Sequence, residues 1–315
     1  MSAPSWSATK LKTWHRCTRL FHYRYDLGLG EPTSDVAAFG KVGHEHLESD
    51  LRIAMGEPAI TPTALPDTYE QARLYAVLDG YRERWTNSAW NILGVEVPFQ
   101  YELAGHIITG RMDGIVQDKS NGQVLVLEHK FTSSDASPGS AYWDKLALDA
   151  QCGIYLDGAR VLGYDVAGVI YDVIAKPAHK VKRATPVDQR KYTKATKTQE
   201  SRLHANQRET DETPDEFYNR IVADIAERPS DFYARAVIVR TEDEVPKMRA
   251  DILDTIKLAR IAEMFDIHPR NSDACNRFGS RCWFWDACVS AADISDPIRF
   301  PRRAHAEPTA PVTQP

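Results

Sequence analysis

The chain has 315 residues, 43% hydrophobic and 26% charged, with a formal net charge of −5. Those proportions are those of an ordinary soluble globular protein, long enough for one large domain or two smaller ones. No apolar run approaches a bilayer span and the start, MSAPSWSATKLKTWHRC, lacks a signal peptide's apolar stretch, which predicts a cytosolic chain. In that reducing compartment the five cysteines (17, 152, 275, 282 and 288) point toward metal or redox chemistry more than toward disulfides.

In chain order, SATKLKTWHRCTRLFHYRYDL (7–27) predicts a helix with Ser7 as N-cap, because Leu11, Trp14, Cys17/Thr18 and Phe21 recur at helical spacing. A second helix is expected over 34–55, with His44 and Glu48 one turn apart on one face. Prolines break the chain at 57–66, and a third helix is expected over 67–87. Residues 92–104 read as a strand leading into a hairpin. The next helix, AYWDKLALDAQCGIYLDGARVLG, ends at Gly163, and VAGVIYDVIA (166–175) has the β-branched density of a buried strand. Further helices are expected over 214–227 and 242–267 with a strand, ARAVIVR, between them. Alternating helix and strand from 92 to 175 predicts an α/β sheet. The end, HAEPTAPVTQP, has a disordered composition.

The hairpin ITGRMDGIVQDKSNGQVLVLEHKF places chemistry where packing favours Val or Ile. A two-residue turn at Asn121-Gly122 would set Ser120 opposite Gln123, Ile115 opposite Glu128 and Asp113 opposite Lys130. Asp113, Glu128 and Lys130 then share one face. Two carboxylates on an apolar strand pair repel one another and resist desolvation, and a hard cation such as Mg²⁺ or Mn²⁺ compensates directly. A lysine beside them could orient a water or stabilise charge on a phosphate. A cross-strand salt bridge from Asp113 to Lys130 is the alternative.

Asp113, then fifteen residues later Glu128-x-Lys130 closing VLVLE, resembles the PD-(D/E)XK nuclease signature, and RMDGIVQD…VLVLEHK is close to the RecB-like branch. GKVGHEHLE is similar to that branch's helical motif, with Gly40, His44, Leu47 and Glu48, and QCGIY to its Gln-x-x-x-Tyr motif, with Gln151 and Tyr155. Glu96 resembles a further acidic position, more loosely. The resemblance covers about residues 7–175 and the C-terminal cysteines. The proline of the superfamily's name is absent, but Gly110-Arg111-Met112-Asp113 fits the branch's Gly-x-x-Asp. It implies a restriction-endonuclease-like core, a mixed sheet flanked by helices. It also implies metal ligation by His44, Asp113, Glu128 and the His129 main-chain carbonyl, a water-orienting Lys130, and a Gln151/Tyr155 pair that helps place the nucleic acid.

DACNRFGSRCWFWDAC sets Cys275, Cys282 and Cys288 in a C-x6-C-x5-C array, which as thiolates would suit zinc or an iron–sulfur cluster. Iron–sulfur members of the branch resemble this layout, with one N-terminal cysteine, here Cys17, completing a [4Fe-4S] site; their usual spacing is C-x2-C before C-x5-C. Bound metal would tie the first helix to the last segment. Cys152 reads as a small core residue.

Between 179 and 208, Lys180, Lys182, Arg183, Arg190, Lys191, Lys194, Lys197, Arg202 and Arg208 face only Asp188 and Glu200. Such a stretch is either a phosphate-contacting surface or a solvated loop. Trp14, Phe21, Tyr23 and Tyr25 could stack bases or simply pack. The expectation is a single nuclease domain over 1–303, comprising N-terminal helices at 7–55, a catalytic core at 92–175, a basic loop at 176–210, a helical and cysteine region at 211–303, and a tail at 304–315. By resemblance it would be an exonuclease on DNA ends or single strands, of the kind met in bacteriophage recombination or CRISPR adaptation. The rival readings are a non-catalytic nucleic-acid-binding module and a zinc-stapled adaptor.

Overall fold

The computed structural model describes residues 5–85, 89–195, 200–277 and 280–303. The expected tail at 304–315 and Lys197 of the basic stretch lie outside the described residues. Strands β1 (Trp90–Leu103), β2 (His106–Asp118), β3 (Val124–Thr132), β4 (Val166–Ala175) and β5 (Tyr233–Ile238) form one mixed sheet in that order. β3 and β4 run parallel and the other neighbours antiparallel. A parallel pair needs a crossover, supplied here by α5 (Ala141–Ala147) and α6 (Ala150–Val161). β4 is buried along nearly its whole length, as its β-branched run predicts.

Helices cover both faces. On one, α6 packs with α1 (Ala8–Arg16) and α8 (Glu244–Met264) around Leu11, Ile115, Val126, Ile154, Tyr171 and Ile252. On the other, α3 (Asp35–Ala54), α4 (Thr68–Arg84) and α7 (Pro214–Glu227) enclose Phe39, Leu74, Leu78, Ile174, Phe217 and Ile221. Leu20, Tyr23, Leu29, Phe284 and Phe300 make a separate cluster against Cys17, Cys282 and Cys288. Among the described residues no helix is long and apolar enough to cross a membrane.

Three local expectations are corrected. The N-terminal helix begins at the Ser7 cap but breaks at Cys17, whose backbone is extended (φ −169°, ψ 119°) before a short α2 (Thr18–Phe21) and a π-helical turn (His22–Asp26). The hydrophobic periodicity runs straight through the break and so hides it. The helix read over 141–163 divides at Leu148, because Asp149 caps a new helix by accepting the Gln151 amide at 2.9 Å.

The hairpin register is the third. Gly114 pairs with Leu127 and Gln117 with Val124, and Asp118 bonds Gln123, so four residues form the loop instead of two. Asp118 explains the longer loop, since its carboxylate accepts from the amide and hydroxyl of Ser120. Ile115 therefore faces Val126 and not Glu128, and because the slip is two residues, side-chain parity across the strands is unchanged.

Candidate functional site

The β2–β3 ladder stops at Gly114–Leu127. Just beyond it, Asp113 Oδ2 accepts the His129 amide at 2.7 Å, in place of the ladder bond a neighbouring strand would have made. That substitution holds the carboxylate where the strands part. α3 brings His44 to the same point, with Nδ1 3.3 Å from Asp113 Oδ2. The close approach of α3 to β3 depends on Gly43, where a Cβ would lie 2.3 Å from the Phe131 ring. At Gly40, the glycine that the sequence motif singles out, a Cβ would make only ordinary contact at 3.8 Å.

Glu128 is buried, and its two oxygens differ. Oε1 accepts from Gln151 Nε2 at 2.7 Å and from Lys130 Nζ. Oε2 is buried and has no hydrogen-bond partner. Gln151 also accepts from Lys130 at 3.2 Å and donates to the Tyr155 hydroxyl at 2.8 Å; that hydroxyl donates in turn to the Arg111 carbonyl at 2.9 Å. The Gln151/Tyr155 pair therefore ties α6 to both β2 and β3. Lys130 bonds Glu128 and Gln151, so the cross-strand salt bridge to Asp113 is not the arrangement adopted.

The electrostatics divide the carboxylates. Burial raises Glu128, and the nearby Asp113 charge raises it further. Burial opposes ionisation of Asp113 as well, but hydrogen bonds from His129 and His44 hold it well below the usual carboxylate range. Burial would lower His44, yet the bond to Asp113 outweighs it and raises the group. Glu96 is close enough to feel Asp113: burial first, then that charge, raises it, while Arg111 pairs with it at 3.4 Å. Glu48 is engaged by Arg52 at 2.7 Å.

Two residues at the site were not foreseen. Lys12 of α1 reaches Gln151 Oε1 at 3.1 Å and Asp149 at 2.6 Å, contacts with no local sequence signal. The His129 imidazole, expected to contribute only its carbonyl, has Nδ1 3.6 Å from Asp113 Oδ2. Among the described residues, His44, Asp113 and His129 form one group whose ligand atoms lie within 4.8 Å of one another; His22, Asp266 and His268 form another.

The four cysteines converge from both ends of the chain. Cys17, Cys275, Cys282 and Cys288 line one apolar cavity with Leu20, Tyr23, Phe284 and Trp285. Cys152 is fully buried in the main core, as expected. Phe21 and Tyr23 are buried too, Phe21 against Trp6, Trp14 and Tyr25 and Tyr23 against Phe284, so their rings pack and are not available to bases.

The basic stretch leaves the C-terminal end of β4, beside the end of β3 that carries Lys130. Lys180, Lys182, Lys191 and Lys194 are exposed, and no salt bridge engages their ammonium groups among the described residues. Arg183 pairs with Asp211 at 2.8 Å, and Arg190 donates to the carbonyls of Thr185 and Glu209.

Solved structures with a similar chain course include a provisionally assigned exonuclease from Eubacterium rectale, with a TM-score of 0.45, 10% identity, and coverage of 92% of this chain and 88% of that one. A phage-related exonuclease from Haemophilus somnus 129PT has a TM-score of 0.34 and 14% identity, covering 83% and 97%. No curated protein sequence matches the chain. A family model for the PD-(D/E)XK nuclease superfamily matches residues 5–289, and with the mixed sheet, its flanking helices and the Asp113–Glu128–Lys130 order in place, the chain belongs to that superfamily.

Proposed function

We propose that the protein is a Mg²⁺- or Mn²⁺-dependent deoxyribonuclease that hydrolyses phosphodiester bonds, acting as an exonuclease on DNA ends or single strands. The observation that carries this reading is the Glu128 carboxylate: buried, bonded through one oxygen, and unpartnered at the other. A buried charge left half satisfied is costly unless a cation completes it. His44, Asp113, Glu128 and the His129 carbonyl would hold that cation. When bound, it would supply a polarised water and neutralise phosphate charge.

The chain's own groups do the rest. Lys130, fixed by Glu128 and Gln151, donates to the attacking water and stabilises charge on the phosphate as the bond breaks in line. Tyr155 keeps Gln151 from rotating away. The exposed lysines of the basic loop contact the DNA backbone at the same edge of the sheet.

We further propose that Cys17, Cys275, Cys282 and Cys288 hold a [4Fe-4S] cluster, with Zn²⁺ as the alternative. The thiols share one apolar cavity. Visible absorbance of an anaerobic preparation separates the two.

The direct test is end-labelled single- and double-stranded DNA incubated with Mn²⁺, beside Glu128→Ala and Lys130→Ala. Loss of cleavage in both variants with DNA binding retained supports the assigned roles. Equal cleavage by all three proteins overturns them.

A further inference from the structure

We infer that Lys12, on the first helix, is a substrate-binding residue: its ammonium takes the DNA phosphate next to the one that Lys130 serves. This rests on the reading of Lys130 as the group beside the scissile phosphate.

Helix α1 is a fixed mount for a side chain. Its start is joined to β2 by two backbone bonds, from the Trp6 amide to the Ile107 carbonyl at 2.8 Å and from the Thr109 amide to the Trp6 carbonyl at 2.7 Å. Leu11 is buried in the main core, and His15 Nε2 lies 3.0 Å from Thr255 Oγ1 of α8. From between these anchors Lys12 reaches α6, on the Glu128 side of the sheet. Its ammonium ends between two acceptors there, Asp149 Oδ2 at 2.6 Å and Gln151 Oε1 at 3.1 Å. Gln151 Oε1 is also the atom that Lys130 Nζ meets, at 3.2 Å. Two donors approaching one carbonyl oxygen along lone pairs about 120° apart leave the two ammonium groups about 5.5 Å from each other.

A salt bridge that only fastened α1 to α6 would need Asp149 and nothing more. Drawing the ammonium onto the Gln151 oxygen as well sets two like charges side by side, an arrangement that gains when an anion lies across both. Each ammonium has three donors, of which two are spent: on Asp149 and Gln151 for Lys12, and on Glu128 and Gln151 for Lys130. Among the described residues the third donor of each has no hydrogen-bond acceptor. The Lys12 side chain is 49% exposed and that of Lys130 26%, so a phosphate can reach both. Their separation is close to that of successive phosphates along one strand. Lys130 therefore keeps the scissile group, and Lys12 takes its neighbour. The exposed lysines of the basic loop lack such fixed heads, which makes Lys12 the cation that sets the register of the strand.

The test is single-turnover cleavage of end-labelled single-stranded DNA by the full-length protein with Mn²⁺. The phosphate on either side of the scissile one is replaced, one at a time, by an uncharged methylphosphonate. Native protein should lose about tenfold in rate at one of the two positions, as loss of a charge-assisted hydrogen bond does. Lys12→Met, which keeps the aliphatic stem, should lose about tenfold on unmodified DNA and nothing further at that position. Lys12→Arg should stay close to native and keep the sensitivity. A residue that only steadied Gln151 or α1 would give losses that multiply at both positions, which overturns the inference while leaving the nuclease reading intact. Native protein indifferent to both replacements overturns it too, and that measurement needs no variant, so a misfolded substitution cannot decide the matter. Absence of any Mn²⁺-dependent cleavage by the native protein overturns both readings.

Discussion

Around Glu128 the polar groups arrive from long elements, β2, β3, α3 and α6, and are already bonded to one another; around the cysteines they arrive from the break at Cys17, a single-turn α9 (Trp285–Cys288) and two-residue strands β6 (Asn276–Arg277) and β7 (Ser280–Arg281). The first site sits on a sheet buried on both faces. The second is backed by a small apolar cluster of its own. A site made by the fold should survive loss of its ligand, whereas a site assembled from single turns should depend on the ligand for its order.

The largest effect should come from breaking the weaker-built region. Cys17→Ser, or stripping of the proposed cluster with a chelator, is expected to release both ends of the chain at a cost of several kcal/mol, since the cross-link closes a long loop. Limited proteolysis should then cut near 17–30 and 270–300 while the sheet stays protected. Even protection throughout would show that the apolar cluster suffices. Glu128→Gln should do the reverse: cleavage falls about a thousandfold, worth about 4 kcal/mol in the barrier, with the melting temperature unchanged or raised, because a buried charge has gone. A large drop in melting temperature would make Glu128 structural.

The outline of the sheet was legible in the sequence because its signals are local: alternation in the hairpin and β-branched density in β4; the start of the first helix was legible from its cap, Ser7. The shared face of the two hairpin strands was legible even with the wrong register, since a slip of two preserves side-chain parity. What stayed hidden was long-range. Lys12 meets Gln151 across most of the N-terminal half of the chain, and Tyr81, Asp172 and Arg235 come from three elements that no spacing links. The His129 side chain was hidden for another reason: alternation places it away from Glu128, and only the parting of β2 from β3 lets Asp113 reach it.

Asp172 offers an intermediate test inside the fold-made region. It is fully buried, bonded by Tyr81 and Arg235, and Arg235 lies 3.6 Å from the centre of the Trp85 ring and 4.4 Å from that of Trp90. Asp172→Asn strands the guanidinium without its counter-charge, at a cost of about 3–5 kcal/mol read by chemical denaturation. Asp172→Asn combined with Arg235→Leu should recover part of that loss. No recovery in the double variant would mean that the pair is held for packing alone.

The smallest effect concerns the hydrogen bonds that hold the basic loop. Buried Glu212 accepts from Arg220 Nε and Nη2 at 2.7 and 2.8 Å and from the Lys182 amide at 2.8 Å. The Arg220 bonds outweigh burial and hold the carboxyl down at about 2. A carboxylate whose folded pKa lies below its unfolded value near 4.3 adds stability that is complete above about pH 5, and loses it as pH falls through about 2. The difference is worth at most about 3 kcal/mol. Native protein melted between pH 6 and pH 2.5 should therefore lose more stability than Glu212→Gln, whose side chain cannot titrate and which starts lower at pH 6. Because Lys182 is anchored by this carboxylate, the acid step should also open 180–212 to protease before the sheet unfolds. Parallel pH curves for the two proteins would place the loop's anchorage in its other contacts, such as the Tyr69 hydroxyl on the Glu212 carbonyl at 2.6 Å.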